Sequence, residues 1–201
     1  MDATQCLGIL RDTRDCAFAT VDENGLPQVR IIDVMIVEDD KLYFCTSRGK
    51  DFHKQLMRDG HVAITGLNSA WQSVRAAGRV ERLDDQKHWI DRIFEDNPSM
   101  NDVYPGNARY ILEAFRLDCG QLEFFDLSTQ PINREYVPFG GEEPLPHGFR
   151  ITDECIGCST CQDVCPQGCI EEGEPFRIQP EHCLHCGLCH ESCPADAIIR
   201  L

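Results

Sequence analysis

The N-terminal two thirds of the chain contain short apolar, β-branched runs separated by polar turns, a pattern that predicts β-strands. The predicted strands are residues 16–22, 27–37, 41–46, 61–67 and 71–83, one or two strands within 112–127, and a short strand at 134–139. Apolar residues at helical spacing predict helices over about 50–59 and 84–96. Six or so antiparallel strands with two or three helices favour a small α+β barrel.

The strand predicted at 27–37 is largely apolar on both faces. One face carries Arg30, Ile32, Val34 and Ile36, and the other carries Val29, Ile31, Met35 and Val37. We therefore expect both faces to be buried, one inside the barrel and one against another layer such as a second subunit. In the strand at 71–83, Gly78 predicts a bulge or a close backbone approach.

A sequence rich in glycine, proline and acid, FGGEEPLPHG, begins at residue 139 and has no periodicity. It predicts a linker over residues 139–149. The chain then divides into a larger domain, residues 1–138, and a small domain, residues 150–201. The 201 residues are enough for one ordinary domain and one small one.

Composition narrows the possible partners. Hydrophobic residues make up 42% of the chain, but no apolar run is long enough to cross a membrane. The net charge of −15 argues against nucleic acid and anionic membrane surfaces as partners. Thirteen cysteines indicate a reducing interior, so we expect a cytoplasmic protein from a cell that lives with little oxygen. Residues 150–201 hold nine acids and three bases, which suits either docking to a basic partner or simple solubility.

The small domain contains the same cysteine run twice, C-x2-C-x2-C-x3-C-P. This spacing is typical of bacterial ferredoxins, whereas zinc sites usually take two separated CxxC pairs. In the ferredoxin arrangement the fourth cysteine of each run binds the other cluster. The first predicted [4Fe–4S] cluster is held by Cys155, Cys158, Cys161 and Cys193. The second predicted cluster is held by Cys183, Cys186, Cys189 and Cys165.

The other cysteines have no partner at metal-ligand spacing. Cys169 takes the position that Ala197 has in the second run, and a small buried side chain suits that position. We therefore interpret Cys169 as core filler rather than as a ligand. The same interpretation applies to Cys6, Cys16, Cys45 and Cys119.

Two features of the larger domain suggest an anion site. The segment TSRGK, Thr46–Lys50, leads into a predicted helix and resembles a phosphate cradle, although such a segment is more often a helix cap with a solvated charge. Arg30 lies inside an apolar strand, where its charge needs a partner. That partner is either the anion of a ligand or a nearby carboxylate such as Asp33 or Glu38.

The segments VRIIDVM, LYFCTSRGKDFHKQL, HVAI and WQSVRAAGRV occur in that order. Together they resemble the pyridoxamine 5′-phosphate oxidase-like group of FMN-binding split barrels, over roughly residues 5–137. The resemblance implies a homodimer with FMN at the subunit interface. On the phosphate side it implies contacts from Arg30 and Lys50, with hydroxyl groups supplied by Thr46 and Ser47.

On the flavin-ring side, the resemblance implies backbone contacts around Ile31 and Ile32. The strand WQSVRAAG would contribute from the other side through Trp71 and Arg75. Ser73 stands where the oxidase commonly has a glutamine. The fuller substrate-binding pattern of a true pyridoxamine phosphate oxidase is absent, and an oxygen-using enzyme would be an unusual host for oxygen-sensitive clusters.

These features predict an iron–sulfur flavoprotein oxidoreductase in which single electrons pass through two [4Fe–4S] clusters to or from FMN. The FMN would reduce or oxidise a small molecule, with a ferredoxin or another redox protein as partner. His53, on the helix after the phosphate loop, is a weak candidate proton donor and more often would only cover a helix face. The alternative is a non-enzymatic dimeric electron carrier or redox sensor whose barrel is only a scaffold.

The crossed ligation predicts that Cys155→Ser and Cys165→Ser disturb different clusters. Anaerobic iron analysis with electron paramagnetic resonance of the reduced protein should show one altered signal in each variant, and the two signals should differ. Iron loss confined to the same centre in both variants would contradict the crossed arrangement.

Overall fold

The computed structural model describes residues 1–201, which form an N-terminal barrel and a small C-terminal unit. The barrel strands are β1 (Asp15–Val21), β2 (Pro27–Asp33), β3 (Ile36–Glu38), β4 (Lys41–Ser47), β5 (His61–Leu67), β6 (Gln72–Arg82), β7 (Leu112–Leu117), β8 (Gly120–Asp126) and β9 (Asn133–Phe139). The helices beside them are α1 (Ala3–Thr13), α2 (Asp51–Asp59), α3 (Gln86–Asp96) and α4 (Met100–Val103), with a 3-10 turn at Gly106–Ile111. The C-terminal unit contains β10 (Phe149–Ile151), α5 (Thr160–Val164), β11 (Ile170–Glu171), β12 (Arg177–Ile178), a 3-10 turn at Pro180–His182, α6 (Leu188–Glu191) and β13 (Ile198–Arg200).

All nine barrel strands belong to one antiparallel sheet. Their order is β2-β1-β5-β6-β7-β4-β3, and β8 and β9 extend the sheet sideways from β6. Strand β6 joins the two halves, because its first part pairs with β5 and β8 while its last residues pair with β7. The antiparallel split barrel expected from the sequence is confirmed.

Aromatic rings fill the barrel interior. Phe18, Phe44 and Phe115 are almost completely buried, with ring centroids 4.9 Å apart for the first pair and 5.7 Å apart for Phe44 and Phe115. Each such pair adds about 0.5–1.5 kcal/mol beyond the apolar area it buries. Helix α1, which the sequence analysis does not predict, packs Leu7 and Leu10 against this core.

A second core lies on the outer side of β4 and β7. Helix α3 buries Ile90, Ile93 and Phe94 there, as its predicted helical spacing requires. Of the cysteines interpreted as filler, Cys6, Cys16 and Cys45 are buried, and Cys119 is half-buried.

The segment predicted as one strand at 27–37 is two strands. The chain breaks at Val34 and Met35, whose amides donate to the carbonyls of Arg14 and Tyr43, both at 2.9 Å. The expected burial of the outer face against another layer, such as a second subunit, stays a prediction, because the single chain leaves this face exposed. Val29 and Ile31 are 71% and 61% exposed on the outer face of β2.

The two cysteine runs fold into matching loops. Residues in the left-handed region occur at equivalent positions, Gly157 with His185 and Ser159 with Gly187. Each loop therefore places one glycine and one larger residue in a conformation that favours glycine. The loops face each other between the short pairs β10–β13 and β11–β12.

Strand β9 ends at Phe139, which packs in the barrel core, and β10 begins at Phe149, which packs in the C-terminal core. The predicted linker occupies the interval between these strands. None of the helices combines the length and apolar character that crossing a lipid bilayer requires.

Gly78→Ala should destabilise the barrel by roughly 1–3 kcal/mol, because an added Cβ would lie 2.3 Å from the carbonyl oxygen of Cys119. Urea unfolding followed by tryptophan fluorescence measures this, since Trp71 and Trp89 both lie in the barrel. Gly8→Ala in helix α1 is the matched control, because its Cβ would meet nothing within 4 Å, and it should be neutral or mildly stabilising. Equal unfolding midpoints for the two variants would contradict the close approach.

Candidate functional site

A cavity of about 580 Å³ opens between strand β2, the β1–β2 turn and helix α2. Its volume is in the range of small-molecule sites. Of the residues that the resemblance assigns to FMN, Arg30, Ile31, Ile32 and Lys50 line it. Its other lining residues, which the sequence analysis did not identify, are Asp22, Glu23, Asn24, Gln28, Asp51, Phe52, Lys54, Gln55 and Arg58. Several of these recur at positions 51, 54, 55 and 58, a helical spacing that could have revealed one face of α2.

Arg30 points into this cavity without a carboxylate partner. Its guanidinium donates to the carbonyl of Phe18 at 3.2 Å, to the Thr20 hydroxyl at 2.6 Å and to Gln55 Oε1 at 3.0 Å. It also lies 4.7 Å from the centroid of the Phe52 ring. Burial lowers the pKa of Arg30 from its ordinary value, as expected for a cation with no nearby anion.

The carboxylates considered as partners for Arg30 are paired elsewhere. Asp33 lies 3.4 Å from Arg14, and Glu38 accepts a 2.7 Å hydrogen bond from Arg92. Neutralisation of Arg30 by either carboxylate, one of the two alternatives left open by the sequence, is therefore contradicted.

Lys50 stands at the start of helix α2 as its N-cap residue, and no side chain caps this helix. It forms no ion pair in the structure, whereas its neighbour Lys54 is paired with Asp51 at 3.3 Å. Arg30 and Lys50 are thus two unpaired cations on one cavity wall. Together with the N-terminus of α2, they present positive charge to an anion.

The hydroxyl residues of the TSRGK segment do not line the cavity. Thr46 is 1% exposed, and its Oγ1 has no hydrogen-bond partner. Ser47 is half-buried at the end of β4. Strand alternation turns Thr46 toward the barrel interior, where it pairs in register with Glu113.

His53 also lies outside the cavity. Its Nε2 is 2.6 Å from Glu113 Oε2, and Arg82 forms two further hydrogen bonds to Glu113, at 2.8 and 2.7 Å. These bonds hold the pKa of Glu113 at about 2. The structure therefore gives His53 a hydrogen-bond partner in Glu113 rather than a place beside Arg30.

Arg75 lies on the first part of β6 and Trp71 immediately precedes that strand, and neither lines the cavity of the same chain. Trp71 is 63% exposed with a left-handed φ of 63°, and Arg75 pairs with Glu123 at 2.9 Å. The hydroxyl of Ser73 lies 3.4 Å from the carbonyl of Phe125. Contacts from Trp71 and Arg75 to a ligand held by another subunit stay a prediction.

The C-terminal unit has a second, largely apolar cavity. Four thiols line it: Cys155, Cys158 and Cys161 from the first run and Cys193 from the second. The other walls come from Ile151, Ile156, Phe176, Pro194, Ala195, Ala197 and Ile198, with Ser159. A set of four thiols with almost no other polar group suits an iron–sulfur cluster, because apolar walls limit the access of water.

No three His, Cys, Asp or Glu side chains converge where a single metal ion could bind. A zinc ion would gather its sulfur ligands within about 2.3 Å of one point. The four thiols, which come from both runs, instead line one apolar cavity.

Cys165 and Cys183, predicted to share the second cluster, come from different runs. The sulfur of Cys165 lies 3.5 Å from the sulfur of Cys169. Cys169 is 2% exposed, and Ala197 at the equivalent position is 1% exposed. Both positions are thus core positions.

The second cysteine loop packs against the barrel. His182 Nδ1 lies 2.9 Å from the carbonyl oxygen of Ile132, and the amide of Ile132 donates to Gln167 Oε1 at 3.2 Å. The Tyr136 hydroxyl on β9 is 3.4 Å from His185 Nδ1, between two predicted ligands of the second cluster. These contacts fix that loop to the edge of the sheet.

Comparisons with known proteins agree with this division. Residues 4–100 match the pyridoxamine 5′-phosphate oxidase family model, and residues 154–197 match the 4Fe–4S dicluster domain model. The chain therefore combines a barrel of the pyridoxamine 5′-phosphate oxidase type with a ferredoxin-type dicluster domain.

Individual relatives match one part each. A pyridoxine/pyridoxamine 5′-phosphate oxidase from Photorhabdus laumondii is 27% identical over 161 residues, covering 75% of this chain and 67% of that protein. A ferredoxin from Butyribacterium methylotrophicum is 50% identical over 30 residues, covering 15% of this chain and about half, 54%, of the ferredoxin. A NimC/NimA family protein from Clostridium acetobutylicum has a similar fold, with a TM-score of 0.58, 22% identity, and coverage of 68% of this chain and 92% of that one.

Glu113→Gln should destabilise the barrel by about 3 kcal/mol at neutral pH, because it leaves Arg82 and His53 without their buried anion. Since the pKa of Glu113 is depressed, its contribution is fully present above its ordinary pKa of 4.5 and is lost as the pH falls toward about 2. Urea unfolding monitored by tryptophan fluorescence measures the difference. Glu81→Gln, which removes an exposed ion pair to Arg116, is the control and should cost less than about 1 kcal/mol. Similar losses in both variants would contradict the importance of the buried pair.

Proposed function

We propose that this union of a pyridoxamine 5′-phosphate oxidase-type barrel and a dicluster domain is an iron–sulfur flavoprotein oxidoreductase. Single electrons pass through two [4Fe–4S] clusters to or from FMN in the barrel cavity, and a small molecule is reduced or oxidised there. Clusters carry one electron at a time, whereas a flavin exchanges electrons singly or in pairs. The presence of both cofactor types in one chain is the reason for proposing this conversion.

The observation that carries the flavin proposal is the unpaired charge of Arg30. A partly buried guanidinium without a carboxylate is costly unless an anion completes it. Arg30 and Lys50 line the same cavity and can hold a phosphate through charge-assisted hydrogen bonds. The apolar side of the cavity, formed by Ile31, Ile32 and Phe52, offers contact area for a ring system.

A homodimer would complete this site. The outer sheet face beside the cavity carries exposed Val29 and Ile31 on β2, next to the small residues Ala17 and Ala19 of β1. An exposed apolar face of this kind favours coverage by another protein surface. We propose that a second copy of the chain covers it and brings its Trp71 to the ligand.

In the dicluster domain, the first cluster is assigned to the thiols around the apolar cavity, namely Cys155, Cys158, Cys161 and Cys193. The second is assigned to Cys183, Cys186, Cys189 and Cys165. Nine buried residues form one small core around these loops, and Cys161, Cys183 and Cys189 are among them. The residues' task is to hold the clusters and to exclude water.

The second candidate is a dimeric electron carrier or redox sensor that binds no flavin. The paired state of His53 favours neither candidate, because it removes an obvious proton donor without removing the cavity. Flavin content separates the two. Acid precipitation of anaerobically purified protein should release yellow FMN if the first candidate is correct, and a protein that contains iron but no flavin would support the second.

Arg30→Ala and Lys50→Ala should each weaken FMN binding by roughly tenfold or more, because each removes a charge-assisted contact to the phosphate. Fluorescence titration of flavin-stripped protein measures the dissociation constant. Binding of riboflavin, which has no phosphate, should change much less, and this comparison isolates the phosphate contact.

Arg79→Ala is the matched control, since Arg79 is an exposed arginine that lines a different cavity. It should bind FMN like the unaltered protein. Unchanged FMN affinity in both Arg30→Ala and Lys50→Ala would contradict the assignment of these two residues to the FMN phosphate.

A further inference from the structure

The two cysteine loops lie in different surroundings. All the polar contacts that tie the C-terminal unit to the barrel come from residues beside predicted ligands of the second cluster. Gln167 follows Cys165 by two positions, His182 precedes Cys183, and His185 lies between Cys183 and Cys186. The ring of His147, from the linker, stacks on the ring of Tyr136 with centroids 3.9 Å apart, which adds a further contact between the barrel and the linker.

The first cysteine loop faces away from these contacts. No hydrogen bond or ion pair joins residues 153–161 to the barrel. Ile156 is 67% exposed, although it also lines the cavity that holds Cys155, Cys158, Cys161 and Cys193. A large apolar side chain is therefore displayed to solvent at the wall of the first cluster cavity.

The charge around this apolar residue is negative. Asp153 and Glu154 immediately precede the first predicted ligand, and both are exposed. None of the nine acidic residues in 150–201 forms an ion pair. Their negative charge is not neutralised by ion pairs within the chain and can therefore attract the basic surface of another protein.

We propose that Ile156, Asp153 and Glu154 form a docking surface for a protein electron carrier with a basic face. The apolar side chain supplies the contact, and the acids supply steering and orientation. This proposal rests on the cluster assignment of the proposed function. In this proposal the first cluster exchanges one electron with the redox centre of the docked carrier. The second cluster is the one that lies toward the barrel.

Charge complementarity selects this occupant over a second copy of the chain. Each copy carries a net charge of −15, so two acidic loops would repel each other. A basic carrier meets the opposite condition, and its affinity should fall as salt screens the contact.

The test uses the complete, cluster-loaded protein and cytochrome c, a lysine-rich haem protein, as the probe. Binding is measured by biolayer interferometry at several ionic strengths. Asp153→Lys with Glu154→Lys should weaken low-salt binding by about tenfold and flatten its salt dependence. Ile156→Ala should weaken binding by roughly threefold and leave the salt dependence unchanged.

The matched control is Glu142→Lys with Glu143→Lys, which changes the net charge equally but alters exposed acids of the linker. It should lower affinity by less than about twofold. Equal weakening by both double variants would overturn the proposal, since net charge alone would then explain binding. Unaltered binding in the Asp153/Glu154 variant would overturn it as well.

Visible absorption of each variant reports cluster and flavin content separately from binding. Loss of probe affinity with intact absorption supports the docking surface. Wild-type protein that lacks clusters or flavin would count against the proposed function, whereas a fully loaded wild type that never binds the probe would count against the docking surface only. Self-association that the Asp153→Lys and Glu154→Lys exchange abolishes would identify a second copy as the occupant of this surface and reject the carrier.

Discussion

The positive charge of Arg30 governs the barrel site, because the chain places it in a partly buried position and pairs it with no carboxylate. Its neighbours satisfy its N–H groups through neutral oxygens, so the geometry is held while the charge remains. Lys50 adds a second free cation at the same wall. Two cations without an ion-pair partner on one cavity wall favour the binding of an anionic ligand there.

The C-terminal unit differs from the barrel, because its candidate site consists of electron-donating thiols rather than cations. Its thiols are electron-rich ligands gathered from two distant runs, and the small domain has too few apolar residues to make a large core. Metal binding and packing therefore act together there, as is usual for small metal domains. The contacts of Tyr136 and Ile132 with the second loop place the two loops in unequal surroundings, although their sequences nearly repeat.

Much of the fold could be predicted because alternating and helical patterns are local. The strands and the helices α2 and α3 follow from residue spacing. Helix α1 was missed although Asp2 and Gln5 form a capping box, because its apolar residues are few and its stability comes from packing on the barrel. The prediction of one continuous strand over 27–37 was wrong. The amides of Val34 and Met35 donate to the carbonyl groups of Arg14 and Tyr43, and the strand is interrupted there.

The sequence by itself determined the repeat of the cysteine runs and made their thiols the candidate ligands, since cysteine spacing within one loop limits which thiols can reach a common centre. It also identified Arg30 as a charge that needs a partner. Only the tertiary structure decided that Asp33 and Glu38 are engaged elsewhere, that Thr46 turns inward and that His53 is bound to Glu113. Those outcomes depend on residues distant in sequence that strand pairing brings together, and no local pattern encodes which of several nearby carboxylates a given cation will meet.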